Sequence, residues 1–382
     1  MIKKGALEGI VVLDLSRLLP GPFCSMVLAD HGARVIAIED KRFEGEFGLT
    51  RTIYRNKEHM TLNLKSDAGR EIFLSMARKA DIIIEQFRPG VVQRLGVDYD
   101  SIAKINPGII YCSITGYGQT GPYRDIAGHD VNYLSVAGVL DLIGEKDGAP
   151  CIPGFQIADI AGGGMYGIIG ILMALVARGK TGRGQYIDIS MTDGSASLLA
   201  LVLSISQVMG QPIKRSDSLL SHRYACYNVY KTADNRFITI GAVENRFWKN
   251  LCDYFTVPEF TPLQYDDSRR HELIDFMREK FKQKTLAQWE EELAPLDICW
   301  GAVKTYEEAL ESSLLKERDM VIEMKKNDGE KLLVLGTPVK MSDTPGSVRT
   351  WPPNFGENTK KVLMDFGYSE EQILSFSEKG II

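Results

Sequence analysis

The stretch GIVVLDLSRLLPGPFCSMVLADHGARVIAIED, residues 9–40, decides the fold class of this chain. Its two ends, residues 9–15 and 34–40, are short runs rich in β-branched side chains, which are typical of strands. Between them, residues 21–32 have the pattern of a helix that a glycine ends. A strand, a helix and a second strand in this order predict parallel pairing through a right-handed crossover, and therefore an open α/β sheet.

The alternation of strands and helices continues along the chain. Further predicted strands cover residues 80–87, 108–118 and 186–191, and a β-hairpin over residues 226–243 turns at Asp234 and Asn235. Predicted helices cover residues 67–79, 159–178, a series from about 246 to 314, and 358–366. We interpret the apolar stretch 160–176 as a buried helix because it is shorter than a membrane span.

The length of 382 residues predicts two domains. Gly, Pro and charged residues break the pattern around residues 208–217, which is typical of a linker. We predict a first part of a large domain over residues 1–205, a linker over 206–225, a small domain over 226–325 and a return to the large domain over 326–382.

Composition excludes several classes of protein. With 45 basic and 50 acidic residues, the net charge of −5 gives no overall attraction to nucleic acid or to anionic lipid. The six cysteines form no C-x-x-C pair and no metal-type spacing with the five histidines, so we expect no metal site and a reducing cytoplasm. No secretory signal is evident at the N-terminus. The chain lacks a P-loop, a G-x-G-x-x-G after its first strand and a G-x-S-x-G elbow, which removes the common nucleotide-binding and hydrolase functions of an α/β sheet.

Two residues are candidates for proton transfer or nucleophilic attack. His129 follows the Gly-rich loop GYGQTGP, residues 116–122, and histidine titrates near neutral pH, although a helix-capping role is at least as compatible with the local sequence. Asp159 directly precedes three glycines, residues 162–164, which would let a substrate approach the backbone. A routine N-cap is the alternative for Asp159.

Basic residues and one glutamate complete the candidates. Glu244 lies between a predicted strand and a predicted helix, where capping is the default role. Basic side chains cluster at the ends of the N-terminal strands, where they could hold phosphates, although most such charges are only solvated. They are Lys41, Arg42, Arg55, Lys57, Lys65, Arg88 and Arg94.

Three blocks of sequence resemble CoA-transferase family III, in order and at the family's spacing. They are residues 7–39, residues 88–122 and residues 158–194. Within the family, AGHDVNYLSVAGVL, residues 127–140, is similar to the α-methylacyl-CoA racemase branch. That resemblance implies that His129 and Asp159 are catalytic and that Glu244 orients the histidine.

The resemblance also implies where coenzyme A binds. It places CoA at Leu62, Lys65, Gln86, Phe87, Arg88, Arg94, Gly128, Asp130, Asn132 and Tyr133. The chain departs from the racemase pattern at two points. An arginine after the second strand falls on Asp40, so that Lys41 or Arg42 would replace it, and an Asp-Gly-Gly segment is replaced by LLSHRYACYNVY, residues 219–230.

The family further implies a Rossmann-like large domain built from both chain ends, a smaller α+β domain and an intertwined homodimer. Its implied activity is 2-methylacyl-CoA racemisation by α-proton abstraction and return. The alternative is CoA transfer between carboxylic acids through an anhydride and a thioester of Asp159, and a minor alternative is an acyl-CoA-binding partner subunit. CoA would enter as part of the substrate, and no permanently bound cofactor is expected.

Overall fold

Strands and helices alternate along the computed structural model, which describes residues 4–326 and 328–382. The strands are β1 Val11–Asp14, β2 Arg34–Glu39, β3 Lys57–Thr61, β4 Ile82–Glu85, β5 Ile110–Thr115, β6 Gln185–Ser190, β7 Tyr227–Lys231, β8 Phe237–Gly241, β9 Trp300–Ala302, β10 Val321–Lys325 and β11 Lys331–Leu335. The α-helices are α1 Pro20–Asp30, α2 Asp67–Ala77, α3 Val91–Leu95, α4 Tyr99–Ala103, α5 Asp130–Val136, α6 Tyr166–Thr181, α7 Met191–Ser197, α8 Ala200–Met209, α9 Asn245–Tyr254, α10 Arg270–Phe281, α11 Leu286–Leu293, α12 Tyr306–Glu311, α13 Ser313–Glu317, α14 Thr359–Asp365 and α15 Glu370–Glu378. A π-helix, Ala158–Met165, precedes α6, and 3-10 helices cover Lys41–Tyr54, Leu140–Leu142 and Pro258–Leu263.

A parallel sheet organises the first of two units. Among the described residues it has six strands in the order β3-β2-β1-β4-β5-β6, as the sequence pattern predicted for an open α/β sheet. Val12 of β1 pairs with Val35 of β2 on one side and with Ile82 of β4 on the other. The chain therefore leaves β1 toward one edge of the sheet and returns through β4 toward the opposite edge.

Both ends of the chain build the core of this unit. Leu13, Ile36 and Ile83 from the sheet pack in one cluster with Phe73 of α2 and with Val362 of α14. Because α14 comes from the C-terminal region, this unit takes its core from both ends of the chain.

The unit boundaries differ from the predicted domain boundaries. One unit comprises residues 1–139, 153–199 and 313–382, and the other comprises residues 140–152 and 200–312. Residues 140–152 join the second unit because the Arg215 guanidinium pairs with Asp141 at 2.8 Å. A boundary at residues 325 and 326 would separate β10 from β11, which pair as an antiparallel hairpin.

Strand β3 lies in a stretch that the sequence pattern left as irregular. Four of its five residues are polar, but Lys57 and His59 are buried, and the Lys57 ammonium lies 3.7 Å from the buried Asp14 carboxylate. These polar side chains can be buried because their charges are paired inside the protein. A pattern of hydrophobic residues cannot reveal such pairing.

The apolar helix α6 is less buried than the sequence predicted. Gly167, Ile171 and Ala174 are its buried residues, whereas Met173 is 67% exposed and Val176 is 62% exposed. By length and composition, the continuous helical stretch Ala158–Thr181 could cross a membrane, and the bent pair Met191–Ser197 and Ala200–Met209 would also qualify as one span. The buried residues face the sheet, where a Cβ on Gly167 would lie 3.0 Å from Ile114 of β5, so the exposed residues form an apolar outer face.

The second unit is built on a small antiparallel sheet. Strands β7 and β8 form the predicted hairpin, with Asn235 in the left-handed conformation at the turn, and β9 adds to β8. Trp248 of α9, Trp289 of α11 and Phe281 of α10 are fully or almost fully buried against it. This unit therefore has its own hydrophobic core.

Candidate active site

The carboxyl ends of the parallel strands line a cavity of about 620 Å³. Loops after β1, β4 and β5 supply most of its wall. Because β1 and β4 are neighbours from which the chain departs in opposite directions, their loops leave a crevice at the switch point, where open α/β sheets bind ligands. The cavity is thus in the expected position for a substrate site.

His129 and Asp159 both line this cavity. His129 occupies the N-cap position of α5, and its backbone N–H donates to Asn132 Oδ1 at 3.0 Å. His129 thus holds the helix-capping position that its local sequence allowed, and it also lines the cavity. Asn132, expected to contact CoA, therefore fixes the backbone of the histidine.

Asp159 lies in the first turn of the π-helix, one residue inside its start. The N-cap is Ile157, so the N-cap alternative for Asp159 does not hold. The backbone N–H of Asp159 donates to Asp130 Oδ1 at 2.9 Å, which ties the π-helix to α5. Short π-helical segments frequently occur at functional sites. Asp130, which directly follows His129 in the chain, thus links the backbone of His129 to that of Asp159.

The environment of Asp159 changes its acidity. Burial raises the pKa of Asp159 to about 6, the nearby Asp130 carboxylate adds to the rise, and His129 opposes it. A carboxyl group with a pKa close to neutrality can both accept and return a proton. Tyr133 stays protonated beside it, because burial and then Asp159 raise the Tyr133 pKa to about 12.

The three glycines after Asp159 serve packing. Gly162, Gly163 and Gly164 are buried. A Cβ on Gly162 would lie 2.5 Å from the Met191 carbonyl, and one on Gly164 would lie 2.8 Å from the Phe23 ring. The expectation that these glycines let substrate approach the backbone is therefore wrong, because other elements of the protein already occupy that space.

The turn after β4 brings a cation to the cavity. Gln86, Phe87 and Arg88 all line it. Glu85 holds the turn by accepting the Phe87 N–H at 2.8 Å, and Gln86 Oε1 accepts the Gly21 N–H at 3.1 Å. Of these side chains, Arg88 is the one able to pair with a phosphate.

The sequence reasoning missed several cavity residues, and three of them carry polar or aromatic groups that could contact a substrate. Arg17, Tyr117 and Arg124 line the cavity with Asp159. The Arg17 guanidinium lies 3.5 Å from the buried Glu39 carboxylate and 3.3 Å from the centre of the Phe43 ring. Arg17 follows β1 and lies at the same edge of the sheet as the turn after β4. This position in the sequence was the signal that would have identified it.

Most of the other predicted phosphate ligands lie elsewhere. Lys41 lines a separate cavity of about 550 Å³ with Thr61 and Phe355. Arg42 donates its N–H to Asp40 Oδ1 at 3.1 Å, and its guanidinium lies 3.7 Å from the same carboxylate. Four further predicted residues are also absent from the lining of the Asp159 cavity. They are Leu62, which is buried, Lys65 and Arg94, which are exposed, and Asp130.

Arg55 and Lys57 are interior side chains and do not present charge at the surface. Arg55 pairs with the buried Asp30 at 2.7 Å, and Lys57 is fully buried beside Asp14. The expectation that they could hold phosphates is wrong, because both ammonium and guanidinium groups are already neutralised inside the protein.

Glu244 belongs to the second unit. It is the N-cap residue of α9, without a side-chain capping bond. The remaining cavity residue from the predicted set, Gly128, has a carbonyl that accepts the Tyr133 hydroxyl. The orienting role of Glu244 stays a prediction.

Known proteins resemble the chain along nearly its whole length. The model of CoA-transferase family III matches residues 7–359. The alpha-methylacyl-CoA racemase of Homo sapiens is 34% identical over 381 residues, which cover 99% of this chain and 97% of that protein. The acetyl-CoA:oxalate CoA-transferase of Acetobacter aceti is 33% identical over 388 residues, covering 96% and 97%. A CAIB/BAIF family protein from Brucella suis has the same fold in its crystal structure, with a TM-score of 0.82, 29% identity and coverage of 95% of this chain and 100% of that one. The chain therefore belongs to CoA-transferase family III.

Proposed function

We propose that this protein is a 2-methylacyl-CoA racemase or epimerase. Its family and its relatives make it an enzyme that acts on acyl-CoA, as a racemase or as a CoA-transferase. One observation carries the choice of racemase. The His129 imidazole and the Asp159 carboxyl, whose pKa burial raises to about 6, line the same cavity.

The proposed reaction inverts the carbon next to the thioester. The thioester carbonyl acidifies the α-proton, because the charge left after its removal is delocalised as an enolate. One of the two side chains takes that proton. The other returns a proton to the opposite face. Asp159 suits this role in both directions because its pKa of about 6 lets the carboxyl exist in either protonation state.

CoA transfer is the second candidate, and the similarity of the chain to CoA-transferases favours it. In that reaction the Asp159 carboxylate attacks the acyl-CoA carbonyl and releases CoA thiolate, forming a mixed anhydride. The thiolate then attacks the Asp159 carbonyl, which frees the first acid and leaves an aspartyl-CoA thioester. An incoming carboxylate collects CoA by the reverse steps. Arg124, which lines the cavity with its side chain 43% exposed, is a candidate contact for the acceptor carboxylate, whereas Arg17 already pairs with Glu39 and Glu46.

Deuterium incorporation separates the two candidates. The purified protein is incubated with one enantiomer of a 2-methylacyl-CoA in deuterated buffer, with and without a free carboxylate acceptor. We expect deuterium at the α-carbon and loss of optical purity, with no covalent mass on the Asp159 peptide. An acyl or CoA adduct on that peptide without α-exchange would assign the protein to the transferases.

Phosphates of CoA are proposed to bind through Arg88. Replacing Arg88 by alanine should weaken acyl-CoA binding and make the remaining affinity less dependent on salt, because one charge-assisted contact is lost. Titration calorimetry at two salt concentrations measures both effects. Lys104→Ala removes an exposed cation that precedes β5, at the amino edge of the sheet, and should change neither. Equal affinity and equal salt response in the Arg88 variant would remove Arg88 from the site.

We also propose an intertwined homodimer in a reducing cytoplasm. The apolar outer face of α6 supports a partner surface, because exposed apolar patches of this kind usually bind protein. All six cysteines are free, as in a reducing compartment. Sedimentation should show a species of about twice 42.6 kDa that persists on dilution. A folded species of single mass would contradict the dimer.

A further inference from the structure

A polar cavity in the second unit is separate from the Asp159 cavity. It has a volume of about 480 Å³, and we name it the Asp217 pocket. Four basic side chains line it, against two acidic ones. The basic residues are Lys146, Arg223, Arg270 and Arg278, and the acidic ones are Glu145 and Asp217. Such a surplus of cations in a concave site favours anions.

Three of the cations converge on one carboxylate. Asp217 Oδ1 accepts from Arg270 at 2.7 Å and from Arg223 at 3.1 Å, while Oδ2 accepts from the Lys146 ammonium at 2.9 Å. Burial would raise the pKa of Asp217, but Lys146 and Arg270 outweigh burial and lower that pKa to about 2. The Asp217 carboxylate therefore stays ionised. Its contacts show that the three cations are arranged to bind an oxyanion.

Donors remain for a further anion. Within the described ranges 4–326 and 328–382, Arg270 makes its side-chain hydrogen bond through Nη1 alone, so Nε and Nη2 have no protein acceptor. Over the same described ranges the Lys146 ammonium pairs with Asp217 alone, and its side chain is 44% exposed. Arg223 is different, because Asp267 accepts from its Nε and Nη2. Arg278 does not contact Asp217 and pairs through Nη1 with Asp275. Among the three cations that meet at Asp217, Arg270 and Lys146 therefore keep donors for a ligand.

The loop that carries Asp217 is held in a strained conformation. Ser216 has a φ of 50° and His222 a φ of 61°, values that cost energy for residues with a side chain. Both residues line the pocket, and the Asn228 amide donates to the His222 carbonyl at 3.1 Å. A strained backbone conformation persists only where the surrounding structure imposes it. Such conformations occur frequently at active sites and ligand-binding sites. Residues 219–230 are also the segment that departs from the racemase pattern.

We infer that the Asp217 pocket binds the oxyanion of a small acid, a carboxylate or a phosphate, through Arg270 and Lys146. A guanidinium fork with two unused donors matches the two oxygens of such a group. Asp217 competes with the ligand for the same cations and limits its affinity. This site is independent of the reaction proposed for the Asp159 cavity.

Anion binding by the whole protein tests the inference. Thermal unfolding and titration calorimetry are carried out with inorganic phosphate and, separately, with succinate, at ionic strength fixed with sodium chloride. We expect saturable binding of at least one of the two anions, and the responding anion identifies the acid group. Arg270→Gln should weaken the binding of that anion at least tenfold. A charge-assisted hydrogen bond contributes about 1.5 kcal/mol or more, which corresponds to a tenfold change in affinity.

Matched variants separate binding from folding. Arg269→Gln alters the neighbouring arginine, which pairs with Glu272 and does not line the pocket, and should bind like the wild type. Asp217→Asn removes the competing charge and should bind more tightly, even if it unfolds at lower temperature. Arg88→Ala should retain binding, because Arg88 lines the other cavity. The inference would be overturned if neither anion binds saturably, or if Arg270→Gln binds as tightly as the wild type. If Arg270→Gln does not fold, the inference would be overturned by an Asp217→Asn variant that binds no more tightly than the wild type.

Discussion

Replacing Asp159 by alanine should reduce turnover of acyl-CoA by at least about 10²–10⁴-fold, the range for a lost general acid or base. Both candidate reactions require this carboxyl group, as a proton carrier or as the nucleophile. In the wild type, a step that needs ionised Asp159 should accelerate as the pH rises through about 6, because the raised pKa keeps the group protonated below that pH. Initial rates between pH 5 and 8 measure this limb.

Two companion variants show whether the loss at Asp159 is chemical. Asp159→Asn preserves the shape of the side chain and should be as inactive as the alanine variant. Asp100→Ala removes an exposed carboxylate in α4, outside the cavity, and should have wild-type activity. Retention of more than a tenth of the wild-type rate in Asp159→Asn would exclude Asp159 from both mechanisms.

Replacing His129 by alanine distinguishes the mechanisms. In a two-base racemase, net inversion should fall by about 10²–10⁴-fold, because the base on one face is lost. Asp159 should still exchange the α-proton on its own face, so deuterium wash-in with retention should persist. Chiral analysis of the product and mass spectrometry of the recovered acyl-CoA measure the two rates separately.

Imidazole provides the control for His129→Ala. Added to the alanine variant, it should restore part of the inversion rate, since it replaces the missing ring, and it should leave the wild type unchanged. A variant that still transfers CoA to a carboxylate and carries an adduct on the Asp159 peptide would identify the protein as a transferase in which His129 only binds substrate.

The sheet could be predicted because hydrophobic pattern and local turn signals agree along most of it. Strands β1, β2, β4 and β5 are continuous buried runs, and their lengths identify them. Strand β3 could not be found this way, because Lys57 and His59 are buried through partners that come from distant positions in the sequence. The π-helix was also beyond prediction, since no periodicity distinguishes it from the start of α6.

The candidate site was predicted in part. His129 and Asp159 were found through residue chemistry and family resemblance, and they line one cavity. The phosphate ligands were less predictable, because their assignment depended on loop geometry. Lys41 begins a 3-10 helix and lines another cavity, while Arg17 follows the central strand β1 at the switch point. Strand order, which the sequence pattern did not specify, decides which strand-end residues meet.

The use of both chain ends in one core has a consequence for synthesis on the ribosome. The N–H of Asn63, after β3, donates to the Ile381 carbonyl at 2.8 Å, and the Thr61 N–H donates to the Thr359 hydroxyl at 3.0 Å. Translation reaches these partners about 300 residues after β3, when the whole second unit has already been made. The second unit has its own core and can fold first, whereas the nascent N-terminal sheet keeps apolar surface uncovered until residues 359–381 emerge. We therefore expect the core of the N-terminal sheet to be completed only when synthesis of the chain is almost finished.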